Sequence, residues 1–225
     1  MILVCANRFA SGVEPLVVNR AGVCIVYAFD GSGSWGAGAE AAAWFRNWIA
    51  KESDGASTSP ETIMELLAAG IRALPSEITG CDFHWEFSLA VAICRTDTVQ
   101  VGASGSIAAL AIRSKGFDRL FVPKRLVDEL VTHGTILPAE GKNHQYRRIF
   151  CGPFIGADNN PELHWCAPIS LFDGDRLVLA DAALPHLLEK YDFTFGNAVE
   201  LRDAIEKYGV STTPTVILDN HANAG

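Results

Sequence analysis

Beyond Trp85 the hydrophobic pattern of the chain changes period, and that change restricts the fold more than any other feature. Phe87 to Cys94, Thr98 to Val101 and Ile107 to Ile112 are three short apolar runs, separated by Asp97 and by a Gly102 to Gly105 turn. Strands joined by so few residues pair antiparallel, because a parallel crossover needs about a dozen residues or more. The region before them is helical. In the Ala-rich stretch from Gly36 to Lys51, Ala39, Ala42, Ala43, Phe45, Trp48 and Ile49 recur at helical spacing. The polar, glycine-containing stretch Glu52 to Ser59 follows; Ser59 is a predicted N-cap and Pro60 the first residue of a second helix reaching Leu74.

The flanks complete the pattern. Met1 to Ala6 reads as a first strand, and Val23 to Phe29 as a central strand running into a turn at Asp30-Gly31. After the meander, Arg125 to His133 is a short helix closed by Gly134, and Ala139 to Gln145 a loop. Arg176 to Ala180 is a strand entered through the Asp173-Gly174-Asp175 turn and ended by Asp181. Asn197 with Glu200 caps a helix that Gly209 closes, and Thr215 to Leu218 is a last strand. Strands and helices in this order predict an α+β fold rather than alternating βαβ units.

With 225 residues, 49% of them hydrophobic and 20% charged, the chain can bury one large core. A single domain over residues 1–220, with a short C-terminal tail at 221–225, is expected. The charge balance is acidic: 18 Lys and Arg against 26 Asp and Glu give a net −8. That disfavours nucleic acid and anionic membrane surfaces as partners, and means that phosphate would be handled with the help of cations. The longest apolar run, Val23 to Phe29, is far short of the roughly 20 residues of a membrane span, and Met1 to Ala6 has no charged region before it. A cytoplasmic protein is expected.

The six cysteines contain no C-x-x-C pair and read as small buried thiols. His164 and Cys166 lack the second ligand pair a zinc site needs. Gly31-Ser32-Gly33-Ser34-Trp35-Gly36 satisfies the dinucleotide spacing G-x-G-x-x-G, but Asp30 would set a carboxylate against the pyrophosphate, and no second parallel strand follows the helix. Trp35, Trp44 and Trp48 form either a core-facing or a partner-binding stripe.

The two aspartate-terminated strands carry more. Val23 to Asp30 and Arg176 to Asp181 share one design, and side by side they would bring two carboxylates to one sheet edge. Such oxygens suit a hard cation, and Gly31 would let its backbone carbonyl approach the same ion. Each aspartate can equally cap the turn or helix after it.

The order of motifs resembles one family, the metal-dependent protein serine/threonine phosphatases of type 2C (PPM-type). Phe29-Asp30-Gly31-Ser32-Gly33-Ser34-Trp35, with Gly38 and Ala41-Ala42, is similar to the family's Asp-Gly-x-Gly-Gly-His motif and following helix. Val101-Gly102-Ala103-Ser104-Gly105 is similar to its Val-Gly-Asp-Ser-Arg turn. Arg125 to Ile136, then His144 and Arg147, follow its helix and His-Pro-x-Arg segment, with Gln145 in place of Pro. Gly174 to Ala182 resembles Gly-Asp-x-Leu-Leu-Leu-x-Ser-Asp-Gly, and Thr212 to Val216 falls where Asp-Asn-x-Thr-Val is expected.

The resemblance implies a β-sandwich of two antiparallel sheets flanked by helices, with a magnesium or manganese centre at one end. There, a metal-bridging water would attack a phosphoserine or phosphothreonine in line. It implies Asp30 as a bridging ligand, the Gly31 carbonyl and Asp181 as further ligands, and Glu14 from the family's Glu-Asp pair. It also implies Arg8 as the phosphate-binding arginine and His144 as the general acid for the leaving alkoxide.

The departures are specific. Pro15 and Thr212 stand where the family has ligand aspartates, and Ala103 and Gly105 replace the Asp and Arg of the turn. Two divalent ions bring four positive charges, of which Asp30 and Asp181 offset two, so one ion or none is implied as readily as a pair. Two readings follow: a phosphoprotein phosphatase with a reduced metal site, and an inactive pseudophosphatase that binds phosphoproteins or regulatory partners.

Overall fold

A computed structural model of the chain describes residues 2–5, 13–20, 22–33, 37–53, 58–75, 78, 85–147, 149–156, 161–182, 184–190, 199–201, 203 and 216–219. The meander is present: β4 (Trp85–Cys94), β5 (Thr98–Ser104), β6 (Ile107–Arg113) and β7 (Gly116–Phe121) follow one another. Before it come β1 (Ile2–Cys5), β2 (Leu16–Arg20), β3 (Val23–Gly33), α1 (Ala37–Glu52) and α2 (Pro60–Ala73). After it come α3 (Leu126–Thr132), the single turn α4 (Pro138–Gly141), and the two-residue strands β8 (Ile155–Gly156), β9 (His164–Trp165) and β10 (Ile169–Ser170). The described elements end with β11 (Arg176–Asp181), α5 (Leu184–Lys190) and β12 (Val216–Asp219).

Among the described residues, one antiparallel sheet has the order β10-β5-β4-β3-β2, with β8 added to β4 and β9 to β5; the other runs β1-β12-β11-β6-β7. The meander therefore crosses between sheets at the β5–β6 turn. Three apolar layers stack the assembly as helix, sheet, sheet, helix. Tyr27, Phe29, Phe87 and Leu89 of the first sheet pack on Ala42, Phe45 and Ile49 of α1 and on Ile63 and Leu67 of α2. Val26, Ala28, Ala90, Ala92, Val101 and Ala103 meet Ile107, Ala109, Leu177, Leu179, Val216 and Leu218 between the sheets. Leu110, Val178 and Ile217 of the second sheet cover Leu184 and Leu188 of α5. Strands buried on both faces read as unbroken apolar runs, so the sequence pattern does not reveal which residues face which layer.

Local signals were accurate where they were strong. Ser59 caps α2, its Oγ accepting a hydrogen bond from Thr62 N at 3.3 Å, and Pro60 opens the helix. Gly134 takes φ +69° after α3, and Gly174 takes φ +81° before β11.

Two predicted turns are corrected. Asp30-Gly31 is not a turn: β3 continues to Gly33, and Asp30, Gly31 and Gly33 pair with Ser88, Phe87 and Trp85. Likewise β5 continues through Ser104, leaving only Gly105-Ser106 to reverse the chain, with Gly105 at φ +80°. Cysteine burial is uneven: Cys94 is buried, whereas Cys24, Cys151 and Cys166 are half-buried. Trp44 and Trp48 stack with ring centroids 5.3 Å apart and lean on the layer between α1 and the sheet.

The predicted helix from Asn197 to Gly209 is described only at residues 199–201 and 203, which are helical. Trp35, Gly36, Cys81 and the tail at 221–225 lie outside the described residues. No helix among the described residues is long and apolar enough to cross a membrane.

Candidate metal and phosphate site

The site follows from strand parity. Along β3, Val26 and Ala28 face the second sheet, so Asp30, two residues further, faces it too. Along β11, Leu177 and Leu179 face the first sheet, and Asp181 takes the next inward position, paired with Ile107 of β6. The two carboxylates thus come from opposite sheets at one end of the shared core. Burial, and then the charge of Asp181, push the Asp30 carboxyl up to about 6, against a hydrogen bond from Ser106 that lowers it.

The β5–β6 turn closes this end. Ser106 N donates to Ser88 Oγ at 2.9 Å, and the two hydroxyls lie 2.9 Å apart. Ser106 Oγ donates to Asp30 Oδ2 at 3.4 Å. Ser106 O accepts from Ala182 N at 3.2 Å, directly after Asp181. Beside it, Ser104 Oγ donates to Pro153 O, which ties in the segment that returns from α3 and α4.

Gly31 has a steric role. Its α-carbon lies against the start of α1, where a Cβ would come within 2.5 Å of Ala39 Cα, so only glycine lets the helix approach the aspartate-bearing strand this closely.

The remaining candidates lie apart. Glu14 is exposed, with its backbone carbonyl held by Arg46 Nε of α1 at 2.9 Å. His144 is half-buried on the segment after α4; its Nδ1 accepts from Tyr146 N at 3.2 Å, and its ring meets that of Tyr146 edge-on. No described interaction joins either residue to the aspartates. Arg8 and Thr212 lie outside the described residues. Ala103 is buried between the sheets and contributes no ligand. His164 and Cys166 form no metal pair: Cys166 Sγ accepts from Val101 N at 3.3 Å, and the His164 ring stacks on Phe121.

The donor set tests which ions the site suits. Among the described residues no group of three or more His, Cys, Asp or Glu gathers that could hold a metal. Two carboxylates that raise one another's energy do gather, and oxygen-only donors suit magnesium or manganese rather than a soft metal. The chemistry of these two carboxylates therefore suits a hard cation, but the described residues form no complete ligand set. They do not supply a two-ion set. Sequence reading missed Ser88 and Ser106. Ser88 carried a signal, a polar residue inside a buried apolar strand at the inward parity, whereas Ser106 looks like an ordinary turn residue.

No family model and no curated protein matches the chain. Solved structures do. The serine/threonine phosphatase Stp1 from Staphylococcus aureus superposes with a TM-score of 0.73 at 15% identity, covering 98% of this chain and 94% of that one. The S. agalactiae serine/threonine phosphatase gives 0.67 at 18% identity over 97% and 98%. The catalytic domain of the phosphatase PstP, in complex with two manganese ions, gives 0.64 at 14% identity over 98% and 97%. The expected architecture is thus the one found: the chain has the protein phosphatase 2C-like (PPM-type) fold. At these identities the likeness is one of fold, and function has to be argued from the site.

Proposed function

We propose that the chain is a phosphatase-like domain that hydrolyses phosphoserine or phosphothreonine in proteins, using a reduced metal centre built around Asp30 and Asp181. The observation that carries this reading is the pairing of two inward carboxylates from opposite sheets at one end of the sandwich. Like charges in a partly buried site are costly unless a proton or a cation sits between them. When bound, a magnesium or manganese ion would supply charge neutralisation for the phosphoryl group and activation of water.

The chain's own residues do the rest. Asp30 and Asp181 hold and orient whatever cation enters, and Ser106 of the β5–β6 turn hydrogen-bonds to Asp30. In the absence of a cation, Asp30 takes up a proton below about pH 6. Within this reading the Gly31 carbonyl and Glu14 add ligand oxygens, Arg8 binds the substrate phosphate, and His144 protonates the leaving alkoxide.

A second reading rests on a different observation. Pro15, Ala103 and Gly105 occupy positions where the resemblance calls for two carboxylates and an arginine, and the described residues gather no third ligand. That favours a pseudophosphatase, which binds phosphoproteins or regulatory partners without turning them over. Hydrolysis of an aryl phosphate and of a phosphopeptide, with and without manganese, in wild type and Asp30→Asn, separates the two. Manganese-dependent turnover that the substitution abolishes sinks the second reading. Equal background rates in every sample, with no metal uptake by calorimetry, sink the first.

A further inference from the structure

Ser106 touches each of the segments that carry the aspartates. Through its backbone it donates to Ser88 on β4, the strand paired with β3, and accepts from Ala182, which follows Asp181 on β11. Through its side chain it reaches Asp30 itself. The direction of the hydroxyl chain can be assigned from donor counts. Ser106 has one hydroxyl proton and gives it to the Asp30 carboxylate, so the bond between the two hydroxyls must be donated by Ser88. Ser88 Oγ in turn accepts from the Ser106 backbone N–H, so the chain runs from Ser106 N–H through Ser88 Oγ–H and Ser106 Oγ–H to Asp30 Oδ2. Each link polarises the next, and the last is charge-assisted.

The surroundings keep the chain rigid. Ser88 is buried at 1% exposure, and Gly105 lies directly against it. Ser106 is held at both its backbone N–H and its C=O, so its main chain cannot shift without opening the β5–β6 turn.

We propose that Ser106 is a positioning residue: by bonding at once to Asp30 and to the backbone after Asp181, it sets the spacing of the two carboxylates and hence the affinity of the pair for a divalent cation. The proposal rests on the reading of Asp30 and Asp181 as a cation site, but it assigns a role to a residue outside that ligand set. Supporting groups of this kind are typically worth about 10- to 100-fold in metal affinity.

The test uses the full chain and manganese alone, with free manganese counted by electron paramagnetic resonance, for wild type, Ser106→Ala, Ser106→Thr and Asp30→Asn. Ser106→Ala is expected to weaken binding at least about tenfold, Ser106→Thr to restore it to within about threefold because the hydroxyl remains, and Asp30→Asn to abolish it. Unchanged affinity in a folded Ser106→Ala protein overturns the proposal while leaving the cation site standing. If wild type binds no manganese, the cation site itself fails, and crystal structures of wild type and Ser106→Ala then decide the positioning role. Asp30 moving relative to Asp181 supports it, and an unmoved pair overturns it.

Discussion

Gly105 lies so close to Ser88 that a Cβ on the glycine would stand 2.7 Å from the serine Cβ. The same glycine has φ +80°, a conformation that L side chains rarely adopt. Gly105→Ala therefore incurs two costs, left-handed strain and a clash with a buried strand, and is expected to lose about 3 kcal/mol in urea unfolding. A loss under about 1 kcal/mol would mean that β4 yields at Ser88.

The pH dependence of stability has a definite sign. In the folded chain Asp30 is raised from 3.8 to about 6, so the folded state holds its proton more tightly than the unfolded one. The stability contributed by this group is complete below about pH 4, is lost as pH rises towards 6 and is constant above, a change on the order of 2 to 3 kcal/mol. Metal-free wild type should thus melt higher at pH 5 than at pH 7 relative to Asp30→Asn, which lacks the titrating group. Parallel melting curves for the two proteins across that range would contradict the assignment.

Removing one charge of the pair should reverse the usual cost of mutating a partly buried residue. Asp181→Asn ends the repulsion across the site, so the metal-free variant is expected to melt at or above wild type at pH 7. It should also lose any rise in melting temperature produced by manganese. In wild type such a rise corresponds to about 2.7 kcal/mol at one hundred times the dissociation constant. Differential scanning fluorimetry over a manganese series checks both arms.

Stability elsewhere depends on packing rather than on surface charge. The Phe45 ring of α1 lies 5.0 Å from that of Phe87 and is fully buried, so Phe45→Ala should cost about 3 to 5 kcal/mol. Glu189 pairs with Arg119 between α5 and β7, but both side chains are more than two-fifths exposed. Glu189→Gln is expected to change stability by less than about 1 kcal/mol, measured in the same denaturant titration.

What could be read from the sequence depended on how local the cause was. Ser59-Pro60 and Asp173-Gly174-Asp175 are set by neighbouring residues, and both appear in the structure as predicted. Asp30 and Asp181 were visible because a carboxylate interrupts an apolar run. The end of β3 was not visible: Asp30-Gly31-Ser32-Gly33 has the composition of a turn, but cross-strand pairing with residues 85–88 of β4 keeps it extended. The edge strands β2 and β7 were missed for a related reason. Asn19, Asp118 and Arg119 are exposed, and five- or six-residue edges with such polar positions carry little periodic signal. Ser106 was invisible as anything more than a turn residue, since its partners at positions 30, 88 and 182 meet only in three dimensions.

The two carboxylates belong to different sheets, and this makes the site a joint as well as a ligand. An ion bonded to Asp30 and Asp181 would fasten β3 to β11 across the layer that holds the sandwich together. Filling the site and clamping the two sheets would then be a single event. The amides along that inner layer would exchange with solvent more slowly once the clamp closed, and the ion would leave only as fast as the sheets could part at that end.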